Sequence, residues 1–291
     1  MTAASNGPFP TSDLPALAPG GAAVVTGAAS GIGLAAAKRF AALGLSVMLA
    51  DLPGPALHQA GDAVRTTARE GVRILSMPCD VADRTAVERL AKTSFDAFGA
   101  VNVLMNNAAI GLNPGRTWEG GDGWRTLMGV NLWGVIHGVQ AFTPTMLEKD
   151  APGLVINTGS KQGITLPPGN SAYNTSKAGV KAYTELLAHE LRQAGAALSA
   201  HLLIPGFTYT GLTGRAEKPP AAWTADQVVD FMLESLDRGD FYILCPDNDV
   251  SRRTDERRVA WAAGDLIENR PALSRWHPDY AAAFAAFMAK E

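Results

Sequence analysis

The sequence predicts an α/β fold: one domain on a doubly wound, seven-stranded parallel sheet with helices on both faces. Two observations carry this. Seven short apolar runs, several apolar at every position, read as strands buried on both sides. Helical patterns alternate with them, and that alternation calls for right-handed βαβ crossovers between parallel strands. A length of 291 residues, 47% of them hydrophobic, is enough to bury such a core.

Each element follows in order. Residues 1–20 are rich in Pro, Gly, Ala and Ser and predict a flexible N-terminal arm. AAVVT (22–26) is the first strand, then a helix over 31–43, SVMLA (46–50), a helix over 54–70 and RILSMPC (73–79). A helix over 84–98 leads to VNVLMN (101–106), and a long one over 121–148 to LVINTG (154–159). Helices over 172–194 and 225–237 flank LSAHLLI (198–204) and precede FYILC (241–245). Residues 21–246 thus form the domain that would hold both cofactor and substrate. Residues 247–291 are partly helical in pattern and carry Trp261, Trp276, Tyr280, Phe284 and Phe287. They predict an extension packed on the domain or across a subunit contact, or one that closes over a substrate pocket.

Charge narrows the function. A net −3 with 18% charged residues leaves no electrostatic footprint for nucleic acid or an anionic membrane. No apolar run approaches a membrane span, and the start lacks the features of a secretion signal. Cys79 and Cys245 adjoin apolar runs and read as buried thiols, with one disulfide as the alternative. These features point to a cytoplasmic protein. His58, His137, His189, His201 and His277 form no cluster in the sequence, so no metal site is expected.

The first strand runs into TGAASGIG (26–33) and then a helix. Glycines at Gly27, Gly31 and Gly33 allow a sharp turn and let a phosphate approach the helix N-terminus, with Ser30 and Ile32 between them. Eighteen residues on, the second strand ends in Asp51, followed by Leu52. A carboxylate there accepts ribose hydroxyls and repels a 2′-phosphate, and no nearby Arg or Lys offsets it, which favours NAD over NADP. In SAYNTSKAG (171–179), Tyr173 and Lys177 stand at i and i+4 on one helix face, where an ammonium would favour the phenolate.

In order along the chain stand TGAASGIG, CDVAD (79–83), NNAA (106–109), Asn131, Ser160, YNTSK (173–177) and IPGFTYT (204–210). This set resembles the short-chain dehydrogenase/reductase family, from about residue 20 to 245. The resemblance implies a Rossmann fold and NAD-dependent interconversion of a secondary alcohol and its ketone. In that scheme Tyr173 is the acid/base, Lys177 lowers its pKa and binds the nicotinamide ribose, Ser160 holds the substrate oxygen and Asn131 supports a proton relay through water. It further implies adenine contacts at Asp80 and Val81, and adenosine-ribose contacts at Asn107, Ala108 and Ala109, the last where the family more often has glycine. Pro205 and Gly206 would lie beside the nicotinamide, with Thr208 and Thr210 on its carboxamide or the phosphates. A homo-oligomer is implied too, commonly a tetramer, with a dimer open if the tail blocks a contact. An NADPH-preferring carbonyl reductase and a non-catalytic NAD sensor are the alternatives.

Substrate contacts would come from KQGITLPPGN (161–170), from FTYTGLTGRAEKPPAAW (207–223) and from the tail. Lys161 and Gln162 adjoin Ser160. Lys161 would either meet an anionic group on the substrate or snorkel to the surface. Phe207 and Tyr209, with Trp223 and Trp118, are the candidate aromatic walls.

Overall fold

The computed structural model describes residues 12–214 and 216–289. The apolar runs become β1 (Ala22–Thr26), β2 (Ser46–Asp51), β3 (Ile74–Pro78), β4 (Val103–Asn106), β5 (Gly153–Thr158), β6 (Leu198–Ile204) and β7 (Tyr242–Leu244). They form one sheet in the order β3-β2-β1-β4-β5-β6-β7, every pairing parallel. Neighbouring residues point to opposite faces. Val25, Met105 and Ile156 face one core, and Val24, Leu104 and Val155 the other.

The helices are α1 (Gly31–Leu43), α2 (Pro55–Arg65), α3 (Arg84–Phe98), α4 (Asp122–Met128), α5 (Gly134–Glu148), α6 (Gln162–Thr165), α7 (Ser171–Gln193) and α8 (Ala225–Asp237). Phe40 of α1, Leu57 of α2 and Met232 of α8 fill the first core. Leu90 of α3, Phe142 of α5 and Leu187 of α7 fill the second. Strand order reverses between β1 and β4, so a crevice opens at the carboxyl edge of the sheet, where α/β proteins of this winding bind ligands.

Three expectations change. The helix predicted over 121–148 is interrupted by a π-helical turn at Gly129–Trp133, between α4 and α5. The helix predicted over 54–70 stops at Arg65. The N-terminal arm is docked over its described part: Pro15–Leu17 form a 3-10 turn that buries Ala16 and Leu17, and Ser12 Oγ donates to Asp237 Oδ1 at 2.8 Å. Apolar Leu14 and Leu17 gain more from the core than a Pro-rich segment loses in freedom. Residues 1–11 lie outside the described residues.

After β7 the chain forms α9 (Arg252–Ile267), two 3-10 turns and α10 (Ala281–Ala289). Asp255 and Trp261 of α9 are buried; the Trp261 ring packs against Phe284, Phe287 and the Arg270 guanidinium. Among the described residues no helix is long and apolar enough to cross a membrane.

Candidate active site

A cleft of about 680 Å³ lies across the carboxyl ends of β1, β4, β5 and β6. At one end the glycine turn meets it. A side chain at Gly27 would stand 2.7 Å from Ala108 Cα, and one at Gly33 only 2.2 Å from the Gly27 carbonyl oxygen. Strand and helix therefore approach closely because these positions carry no Cβ. No side chain caps the start of α1, which keeps the positive end of that helix available to an anion. Asp51 braces the turn: its Oδ2 accepts from Ala29 N and its Oδ1 from Leu52 N, each at 2.8 Å. Asp51 and Asp80 are the charged groups lining this end. Thr26 Oγ1 accepts from Asn107 N at 2.9 Å and Ala108 N at 3.2 Å, which fixes the floor.

At the other end, Tyr173 and Lys177 project from the first turns of α7. Asn170 caps that helix by accepting from Tyr173 N at 3.1 Å. Lys177 is 2% exposed and donates to Thr158 O at 2.8 Å. Burial pulls its pKa down to about 8. Its Nζ sits 5.8 Å from the Tyr173 ring centroid. Burial pushes the Tyr173 phenol up, and its hydrogen bond with the Ser160 side chain pulls it back. The depressed phenol expected from the helix spacing is thus absent in the protein alone, because desolvation outweighs an ammonium directed at Thr158. Asn131 is fully buried in the π turn; its Oδ1 accepts from Ile110 N at 2.8 Å and its Nδ2 donates to Ile110 O at 3.0 Å.

A family model described as short chain dehydrogenase matches residues 21–221. The chain belongs to the short-chain dehydrogenase/reductase family. It is 36% identical to a 1-deoxy-11-beta-hydroxypentalenate dehydrogenase of Streptomyces exfoliatus, over 88% of this chain and 94% of that one. A short-chain dehydrogenase/reductase of Burkholderia phymatum, solved in complex with NAD, is 32% identical with a TM-score of 0.78, covering 87% of this chain and 96% of that chain. A metagenomic short-chain oxidoreductase solved with NADP is 27% identical with a TM-score of 0.66, over 79% and 98% of the two chains. As a member of this family the protein is an oxidoreductase that binds a nicotinamide dinucleotide.

The cleft of this short-chain dehydrogenase fits that group. Its cradle of missing Cβ atoms and uncapped helix end suits a diphosphate, and its length joins Asp51 to Tyr173. Gly27, Ser30, Gly31, Ile32, Leu52, Val81, Ala109, Pro205, Gly206, Thr208 and Thr210 all line it, as do Ser160, Gln162 and Phe207. Gly33 and Asn131 stand behind the lining and support it.

Several expected substrate contacts are corrected. Tyr209 lies outside the lining, and its hydroxyl donates to Ala216 O at 2.9 Å. Trp223 is half-buried and packs edge-on against Phe231 at the margin of the first core, while Trp118 is 78% exposed beside Arg116. Lys161 borders the cleft, but its ammonium neither snorkels nor faces it unpaired: Asp255 Oδ2 holds it at 2.6 Å and Asp247 Oδ2 at 3.1 Å. Sequence reasoning missed Thr158 and Ile110 as lining residues, and reached Asn170 and Leu212 only as members of the two substrate segments. Of these, only Asn170 left a signal of its own, as an asparagine immediately before a helical run.

Proposed function

We propose that the protein is an NAD-preferring dehydrogenase that interconverts a secondary alcohol and its ketone. The observation that carries this reading is the convergence of Tyr173, Ser160 and buried Lys177 at one end of a cleft whose other end presents Asp51. The bound dinucleotide supplies a hydride acceptor. Ser160 holds the substrate oxygen against the Tyr173 hydroxyl, and Tyr173 takes the alcohol proton or returns it to the ketone. Lys177, poised near pH 8, passes that proton on and binds ribose hydroxyls. Because both amide atoms of Asn131 are engaged by Ile110, its part in the relay falls to its main-chain carbonyl. Asp51 accepts from the adenosine ribose and repels a 2′-phosphate, and Asp80 accepts from the adenine amino group. Ile110, Phe207 and Leu212 give the substrate side an apolar wall. The same reading extends to assembly as a homo-oligomer.

The test is reduced-cofactor formation over aliphatic, alicyclic and aromatic secondary alcohols, with NAD and NADP side by side. Oxidation with NAD is expected to rise from pH 7 to 9.5, as an acid/base that must be deprotonated requires. Tyr173→Phe should lose about a hundredfold or more in kcat while binding NADH as before. Asp51→Ser should raise efficiency with NADP by roughly tenfold or more, since a like charge has gone. Full turnover by Tyr173→Phe would overturn the mechanism, and faster wild-type turnover with NADP would overturn the cofactor assignment.

A further inference from the structure

Lys161, Asp247 and Asp255 form a buried charge cluster that none of the chemistry above uses. Their side chains are 14%, 6% and 3% exposed. The cluster joins three segments distant in sequence. Lys161 follows Ser160 directly, and its N–H donates to Pro205 O at 3.2 Å. Asp247 opens the C-terminal extension; its Oδ2 accepts from Phe207 N at 3.2 Å as well as from Lys161, and its Oδ1 accepts from Val250 N at 2.8 Å. Asp255 lies in the first turn of α9, with Arg258 3.7 Å from its other oxygen. The pair rests directly on Gly206: a side chain there would stand 2.8 Å from both Asp247 Oδ2 and Lys161 Nζ.

Two carboxylates buried on one ammonium, with the Arg258 guanidinium beside one of them, are costly to keep, and an apolar contact would hold the tail at less expense. What the charges add is direction. They fix the turn bearing Ser160 and the turn bearing Phe207 relative to each other, the two turns that border the substrate end of the cleft. We propose that Lys161, Asp247 and Asp255 are positioning residues, a clamp through which the C-terminal extension sets the alignment of Ser160 and Phe207 for hydride transfer. The proposal rests on the function proposed above and deepens it. The extension is then a working part of the substrate half of the site, while the glycine turn and Asp51, at the other end of the cleft, are independent of it.

The experiment compares Lys161→Met, Lys161→Arg and the near-isosteric Asp255→Asn with the wild type. NADH fluorescence titration reports folding and the cofactor half, and every variant is expected to bind NADH within about twofold of wild type. For the secondary alcohol found to turn over, Lys161→Met and Asp255→Asn should lose about tenfold to a hundredfold in kcat per NADH site, the scale of a misplaced reacting group. The primary deuterium isotope effect on kcat should rise, and Lys161→Arg should recover most of the loss. The double variant should be no slower than the slower single one, because both act through one clamp. A merely structural cluster would lower the number of NADH sites and leave kcat per site and the isotope effect alone; that result overturns the proposal. Should the wild type oxidise no alcohol, the functional reading fails separately. The clamp is then read by hydrogen exchange of the NADH-bound protein. Faster exchange at 159–166 and 205–209 in Lys161→Met supports it, and unchanged exchange there overturns it.

Discussion

In the proposed mechanism Lys177 serves chemistry at the expense of stability. Its ammonium is buried and donates to Thr158 O, and among the described residues no carboxylate pairs with it. The folded pKa of about 8 against an ordinary 10.5 corresponds to roughly 3 kcal/mol spent holding the charged form inside the protein. The sign follows from proton counting. Below pH 8 both folded and unfolded chains carry the proton, and the full cost is present. Between 8 and 10.5 the unfolded chain binds the proton more tightly, so this group makes stability rise with pH. Urea unfolding of wild type and Lys177→Met at pH 7, 8.5 and 10 should show the variant relatively most stable at pH 7. That advantage should shrink by about 2–3 kcal/mol towards pH 10, alongside a loss of turnover. The raised phenol of Tyr173 acts in the opposite direction above pH 10, and is common to both proteins. A difference that stays flat across the range would mean that the ammonium is not desolvated as described. The Tyr173–Lys177 pair was legible in the sequence because i, i+4 spacing is a local property of a helix. The partners of Lys161 were not, since Asp247 lies 86 residues away and only the fold brings it near. The same holds for the balance of effects on Tyr173: spacing reveals the neighbouring ammonium but not the burial that outweighs it.

At the scale of elements, strands were the most legible part. A strand covered on both faces must be apolar at nearly every position, and β1 and β5 are buried throughout. The break between α4 and α5 was hidden because weak helix formers such as Gly129, Val130 and Asn131 are also tolerated inside regular helices; only the buried Asn131 hints that the segment is special. Gly138 is a second feature that helical periodicity conceals. A Cβ there would stand 2.0 Å from Asn106 Oδ1, so α5 lies directly on the end of β4. Asn106 in turn donates to Asn157 Oδ1 at 2.9 Å, and Asn157 donates to Thr184 Oγ1 at 3.1 Å, a buried polar chain linking β4, β5 and α7 beneath the cleft. In an exposed helix Gly→Ala stabilises, because alanine has the better propensity. Here the methyl group must displace α5 or break the Asn106–Asn157 bond. Gly138→Ala should therefore destabilise by about 1–3 kcal/mol in urea unfolding and weaken NADH binding through the adjoining Asn107. A more stable variant would show that α5 has room to move and that this packing is loose.

The whole molecule is a cleft at a topological switch point, with the described segments before β1 and after β7 both anchored to the domain that carries it. The N-terminal segment locks onto the core through Leu17, and the tail locks onto the Ser160 turn through Asp255. Over residues 12–20 the compositional bias that predicted a loose arm was misleading, because two leucines decide the docking and bias averages over them. Assembly is the remaining question at this scale. Trp133, the last residue of the π turn before α5, is 52% exposed, Leu147 near the end of α5 39% and Leu186 on α7 61%. Large apolar side chains scattered singly are ordinary, but these lie on the two helices that the family resemblance places at a subunit contact. In a homo-oligomer of closed symmetry each such residue is buried once per subunit, so one substitution acts several times over. Sedimentation at micromolar concentration should give a mass of two or four times the 30.5 kDa subunit. Leu186→Glu, which puts a charge into the proposed contact without touching the core or the cleft, should shift the mass towards the monomer and leave far-UV circular dichroism unchanged. A wild-type protein that sediments at 30.5 kDa across that range would refute the assembly. Turnover by such a monomer would locate the complete active site, tail clamp included, within a single chain.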